Sequence, residues 1–359
     1  MAALTGNKSS HTQHQQFAKR LLQWHKTANH RLMPWKGEKD PYKIWLSEII
    51  LQQTRVEQGL AYYEKFTKHY PTVRDLAAAG DNQVFKDWEG LGYYNRCRNL
   101  LHTARYIASE LKGAFPASYE GLLQLKGIGP YTAAAISAFA FNLPFAVVDG
   151  NVFRVLSRIY GIADPIDSAK GKTLFNELAD ANLDKKSPAL YNQAIMDFGA
   201  TMCKPAVPKC GSCPMQNICL AYTTGVVNQL PVKEKILQKK LRYFTWLLLE
   251  ADEKIFVHKR LPGDIWADLH EFYLIETVAK PDWDTEEIRL LLDQQLKAEV
   301  QSISALKPST QQLTHQKIMG YFFHVKLRFI PQALAGQHWL KKSAIGRLAF
   351  PKMLKDMEF

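Results

Sequence analysis

Residues 125–136 read LKGIGPYTAAAI. Pro130 suits a first helical position, where no N–H is required. Gly127 and Gly129 let the backbone come close to a partner. Free N–H groups at the start of the next helix then make a site for an anion. A G-x-G pair alone is equally compatible with a plain tight turn between two helices.

Around this string the pattern is helical. Tyr42–Thr54, Arg96–Leu111, Pro130–Phe141, Val152–Tyr160 and Leu190–Met202 carry apolar residues at three-to-four spacing. Gly90, Gly92, Gly113, Gly121, Gly161 and Pro165 separate them. After residue 240 the period changes: Tyr243–Glu250, Lys254–His258, Phe272–Glu276 and Gly320–Ile330 read as strands, with helical segments near Glu286–Gln295 and Ser343–Leu348. The simplest account is a multidomain chain, all-α and then α+β. The expected division is a helical domain over 1–228, a basic linker over 229–241 and a second domain over 242–359.

The chain has 359 residues, enough for two domains with their own cores. Its net charge of +12, from 46 basic and 34 acidic residues, points first to nucleic acid and second to an anionic membrane surface. The stretch 232–242, VKEKILQKKLR, is either a solvated linker or a DNA-backbone contact. The longest apolar run, Thr132 to Val148, is broken by Ser137, Asn142 and Pro144 and is too short to span a bilayer. The N-terminus lacks the apolar core of a signal peptide, so a cytoplasmic, nucleoid-associated protein is expected. Two motif fragments lead nowhere: Gly171-Lys172-Thr173 lacks the first Gly of a phosphate loop, and His270-Glu271 lacks the second His of a zinc-protease helix.

Four of five cysteines fall in 203–219 with the spacing Cys203-x6-Cys210-x2-Cys213-x5-Cys219. In a reducing compartment that suggests a metal site. Four thiolates wrapped by one short loop suit a [4Fe–4S] cluster, and zinc is the competitor. Lys204 and Lys209, with Pro205 and Pro208 between them, would present cations to phosphates. Cys97 shares a helix face with Leu100, Leu101 and Ala104 and reads as core.

Two carboxylates stand in contrasting company. Glu48 has Ile44, Trp45, Leu51 and Gln52 as its helical neighbours, so lost hydration should raise its pKa. Asp149, just before a helix, should stay ionised. Groups whose pKa values are pushed apart are the signature of an acid and an anion in one site. The plain alternatives are a solvent-facing Glu48 and an Asp149 that only caps its helix.

LKGIGPYTAAAI, VVDGNVFRVLSR (147–158) and the cysteine spacing together resemble the endonuclease III superfamily of DNA glycosylases. Within it, WLSEIILQQTRV (45–56), GLGYYNRCRNL (90–100) and Tyr131 resemble the adenine DNA glycosylase family, the MutY type. The resemblance is dense over residues 15–225 and thinner beyond. It implies a helix–hairpin–helix glycosylase domain with a [4Fe–4S] loop, then a MutT-like, or NUDIX-like, domain that recognises 8-oxoguanine. It further implies excision of adenine opposite 8-oxoguanine or guanine in double-stranded DNA by a monomer with no membrane partner.

By the same resemblance Glu48 protonates adenine N7, Asp149 stabilises the oxocarbenium-like sugar and Asn151 helps to position it. Tyr131 stands where bifunctional relatives carry a Schiff-base lysine, which implies a mainly monofunctional enzyme. Arg31 and Trp35 match the adenine pocket. Leu51, Gln52, Gln53, Thr54 and Tyr93 match segments that wedge into the duplex and touch the opposite base; Gly127 and Gly129 match the phosphate-holding hairpin. Cys203, Cys210, Cys213 and Cys219 match the cluster ligands. Thr314 and His315 match a loop that contacts 8-oxoguanine, with Gln316 a departure, and Lys36 replaces a frequent Arg. No Glu-rich pyrophosphatase box is present, so the second domain is expected to bind without hydrolysis. The competing functions are a bifunctional pyrimidine glycosylase/lyase and a DNA-bound iron–sulfur protein without glycosylase activity.

Overall fold

Periodic apolar residues and regular glycine or proline breaks produce helices throughout the described residues up to Thr223. These are Asn7–Ala28 (α1), Pro41–Leu51 (α2), Val56–His69 (α3), Val73–Ala78 (α4), Asp81–Trp88 (α5), Asn95–Ser109 (α6), Tyr119–Leu123 (α7), Pro130–Phe141 (α8), Gly150–Tyr160 (α9), Ala169–Asn182 (α10), Pro188–Thr201 (α11) and Leu220–Thr223 (α12). The computed structural model describes residues 7–234 and 239–355. Part of the expected linker, 235–238, lies outside them. No helix among the described residues is long and apolar enough to cross a membrane.

Two helices fix the surroundings of the site. α2 starts at Asp40, whose carboxylate accepts from the Tyr42 N–H at 2.9 Å, with Pro41 at its first position. Nearly all of it from Tyr42 to Ile50 is buried, so a polar side chain at its centre meets protein whichever way it points. The helix expected to reach Thr54 stops at Leu51, because Gln52 leaves helical geometry and Gln53 takes a φ of 57°. α8 is built of small apolar residues, Thr132 to Ala138 all buried, and packs against α2. The Thr103 hydroxyl donates to the Lys126 carbonyl at 2.7 Å and holds the hairpin before α8. A second core gathers Phe17, Leu21, Val155, Leu156, Tyr191, Ile195 and Phe198 from α1, α9 and α11.

The later part of the chain forms a mixed sheet. Its strands are Lys240–Ala251 (β1), Lys254–Phe256 (β2), Tyr273–Thr277 (β5), Val300–Gln312 (β6), Gln316–Leu327 (β7) and Trp339–Lys341 (β8), in the order β6-β7-β1-β2-β8 with β5 also on β1. A ribbon of His258–Lys259 (β3) and His270–Glu271 (β4) stands apart. β1 and β7 are parallel, with Tyr243 opposite Met319. Leu247, Leu249, Phe323 and Val325 on one face are covered by Ile288, Leu292 and Leu296 of Thr285–Leu296 (α13). Short helices Lys342–Ile345 (α14) and Lys352–Lys355 (α15) close the described chain.

β6 was not anticipated, and its composition explains why. It is an edge strand, mostly exposed, with Pro308 at a register shift between Leu306 and Ser309, and so has no buried face to alternate. The expected strand 254–258 is broken at Val257, and the strand expected over 320–330 starts and ends earlier.

The division into compact units also departs from a linear one. One unit comprises the described chain up to Gly59, Thr72–Arg74 and the stretch from His102 to Glu234. The other comprises Leu60–Pro71, Asp75–Leu101 and the described chain from Lys239 onward. The segment carrying α5 therefore groups with the later chain, to which the contacts given below join it.

Candidate active site

Within the first unit a cavity of about 1070 Å³ is lined by Arg31, Trp35, Glu48, Leu51, Gln52, Gln53, Thr54, Tyr131, Asp149 and Asn151, together with His25, Lys36 and Gln193. Ten of the expected site residues thus meet at one place. Glu48 projects from the middle of α2 and is only 7% exposed. Burial pushes its carboxyl up to about 7; a hydrogen bond with Tyr131 pulls it back, and the nearby charge of Asp149 raises it again. The same burial and the two acids hold the Tyr131 phenol well above its ordinary range. A carboxyl raised this far is able to hold a proton near neutral pH.

Asp149 caps α9. One carboxylate oxygen accepts from the Asn151 and Val152 backbone N–H groups, both at 2.8 Å, and the other from the Asn151 amide at 2.7 Å. The helix end expected to favour the anion is not the only influence on Asp149. Burial moves its pKa above the ordinary value, against the pull of these three donors and of Arg154. The two acids are therefore shifted in the same direction. They are distinguished by partners: Glu48 faces a hydroxyl, whereas every hydrogen bond to Asp149 comes from an N–H donor.

Asn151 is held in turn. Its side-chain oxygen accepts from Arg154 at 2.9 Å, and Arg154 also donates to the Cys203 and Gly199 carbonyls, each at 2.7 Å. A continuous polar path therefore runs from Asp149 to the first cysteine. Arg158 donates to the Lys204 carbonyl at 2.7 Å, the Pro205 carbonyl at 3.0 Å and the Cys203 sulfur at 3.4 Å, and Arg20 to the Pro214 carbonyl at 3.2 Å. Arg154 and Arg158 escaped sequence reading, although both fall in VVDGNVFRVLSR. Burial, reinforced by neighbouring cysteines, raises Cys210, Cys213 and Cys219, with Cys213 pushed up to about 12. No three ligating side chains among the described residues crowd round one point as a single ion requires. Cys97 is a fully buried core residue, as expected.

Asp197 was also missed. Fully buried on α11, it pairs with Arg31 at 3.0 Å and Lys36 at 2.7 Å and accepts from Asn29 at 2.8 Å. Lys36 further donates to the Arg31 carbonyl. Asp197 thus ties down the loop that brings Arg31 and Trp35 to the cavity, and Lys36 serves this anchor. An Asp inside the apolar run AIMDFGA was the available signal.

The hairpin glycines differ in kind. Gly127 has a φ of 81°, which a side chain resists. Gly129 has ordinary extended geometry, and a Cβ there would meet nothing within 4 Å. Gly129→Ala is therefore expected to leave the melting temperature unchanged while weakening duplex binding; unchanged binding would show that no backbone approaches there. Gly127→Ala is expected to cost about 1 kcal/mol of stability.

Tyr93, Thr314 and His315 lie in the other unit. Tyr93, at a φ of 48°, hydrogen-bonds through its hydroxyl to the Thr314 hydroxyl, and His315 is exposed. Arg242, the last residue of the basic stretch, is no free DNA contact. It pairs with Asp264 and Glu276 at 2.7 Å and donates to Gln316 at 3.1 Å. The departing Gln316 thus has a structural partner.

Residues 46–179 match the family model of the HhH-GPD superfamily of base excision DNA repair proteins, and residues 244–357 match a NUDIX domain. The helical part is similar to a solved structure of a thermostable thymine-DNA glycosylase, with a TM-score of 0.56 and 29% identity over 60% of this chain and all of that one. Fold and site thus define a helix–hairpin–helix repair protein with an appended NUDIX-like domain. The adenine DNA glycosylase of Buchnera aphidicola subsp. Schizaphis graminum is 31% identical over 324 residues, 88% of this chain and 86% of the relative. That of Buchnera aphidicola subsp. Baizongia pistaciae is 36% identical over 261 residues, 71% and 73%. The chain belongs to the adenine DNA glycosylase family.

Proposed function

We propose that this chain hydrolyses the N-glycosidic bond of adenine mispaired with 8-oxoguanine or guanine in double-stranded DNA. The observation that carries this reading is the meeting of Glu48, Tyr131 and Asp149 in one cavity. The target bond is hidden in the base stack, so the nucleotide must be flipped out, at a cost of a few kcal/mol that a mispair lowers. Neutral adenine is a poor leaving group. Glu48, poised near neutrality, delivers the proton to its ring nitrogen N7. Asp149, supplied only with N–H donors, is suited to face the positive charge that develops on the sugar. Asn151 fixes its orientation. Tyr131 offers no amine, so an abasic site is left with the strand intact.

Around this centre, Arg31 and Trp35 receive the base and Leu51–Thr54 enter the gap it leaves. The hairpin at Gly127 and Gly129 holds phosphates, and Thr314 and His315 read the opposite base. Cys203, Cys210, Cys213 and Cys219 would hold a [4Fe–4S] cluster. When bound it staples the loop that offers Lys204 and Lys209 to the backbone. The donor set supports that fit: the four thiols Cys203, Cys210, Cys213 and Cys219 lie on one short loop, and Arg158 donates to the Cys203 sulfur at 3.4 Å. Iron and acid-labile sulfide at about four each per monomer would agree, and zinc alone would not.

Incubating the protein with a duplex holding adenine opposite 8-oxoguanine tests the whole reading. Free adenine should appear by chromatography, and the strand should break only after alkali. No adenine would overturn the proposal; cleavage before alkali, matching base release, would favour the bifunctional alternative.

A further inference from the structure

Tyr93 stands on a loop that is stitched to distant parts of its own unit. The Glu89 carboxylate, almost fully buried, accepts from the Phe350 N–H at 3.0 Å and pairs with Lys86 at 2.9 Å and Lys355 at 3.1 Å. Lys86 reaches on to the Leu348 carbonyl at 2.9 Å, and the neighbouring Ala349 carbonyl accepts from the His270 N–H of β4 at 2.8 Å. Nine residues after Glu89, Arg98 pairs with Asp268 at 2.5 Å and donates to the Ala267 carbonyl at 3.1 Å. Between these clamps the chain is tightly constrained. Gly90 and Gly92 are left-handed, the Gly92 carbonyl accepts from Trp88 and Arg96, and the Arg96 guanidinium lies 5.3 Å from the Trp88 and Tyr93 rings. At the apex, left-handed Tyr93 meets Thr314.

We infer that Glu89 and Arg98 are positioning residues for opposite-base discrimination: they set Tyr93 in register with Thr314, so that both address the base facing the adenine. This rests on the glycosylase reading above. The physical reason is that a misplacement of about 1 Å is enough to lose a directed hydrogen bond. A buried carboxylate with three partners, spanning more than 250 positions, is an expensive arrangement for a loop that needs no fixed place. Neither residue lines the cavity where the bond breaks.

Full-length Glu89→Gln and Arg98→Gln, each checked by melting, are compared with wild type in single-turnover adenine release from duplexes with 8-oxoguanine or guanine opposite the adenine. Each variant should lower the ratio of the two rates about five-fold or more, the scale of one ordinary hydrogen bond, with the guanine-duplex rate held within about two-fold. A ratio unchanged in both folded variants, or both rates falling in proportion, overturns the inference. A wild type that releases no adenine from either duplex overturns the glycosylase reading instead.

Discussion

Glu48→Gln is expected to lower adenine release by about 10²–10⁴-fold, the usual worth of a positioned general acid, while mispair binding survives. The glutamine fills the same volume beside Tyr131, so the pocket keeps its shape. Two pH effects follow from a carboxyl raised from 4.5 to about 7. The wild-type rate should fall as pH rises through about 7, because the protonated form is the active one. Stability should also fall across the window from 4.5 to about 7, since there the folded chain still binds a proton that the unfolded chain has released. Above that window the buried anion is a full penalty. Glu48→Gln removes it and should raise stability at pH 8 by on the order of 1–3 kcal/mol. Wild-type turnover, or a variant less stable at pH 8, would contradict this account of the residue.

The second large effect is expected at Asp149. Asparagine caps helices as well as aspartate, so Asp149→Asn should fold with α9 intact. It nonetheless removes the fixed negative charge, and an amide now meets the Asn151 amide donor at 2.7 Å, where one acceptor is needed. Adenine release should drop at least about 10²-fold, comparable with loss of one preorganised electrostatic partner. The measurement is single-turnover release at saturating enzyme, with circular dichroism to confirm the helix. A loss below about five-fold would reduce Asp149 to a cap.

How far the site could be read from the chain depended on whether its partners were local. Glu48 was legible because its own helix supplies the apolar company, and Asp149 because a cap is a local signal. The upward shift of Asp149 was not, since burial is a property of the folded surroundings and not of the cap motif. Asp197 was missed because its partners Arg31 and Lys36 lie more than 160 positions away. In the fold, α8 and α9 were evident from glycine, proline and apolar spacing. β6 was hidden because an exposed edge strand needs no alternation. The union of Asp75–Leu101 with the later chain was invisible because its contacts, among them those of Lys86, Glu89, Tyr93 and Arg98, reach residues far away in sequence.

The most direct test is a carbon-13 NMR titration of the Glu48 side-chain carboxyl in the full-length protein, repeated in Asp149→Asn. A midpoint near 7 that moves down once the neighbouring charge is gone is the predicted result. A midpoint at the ordinary 4.5, indifferent to residue 149, would contradict a shared buried site.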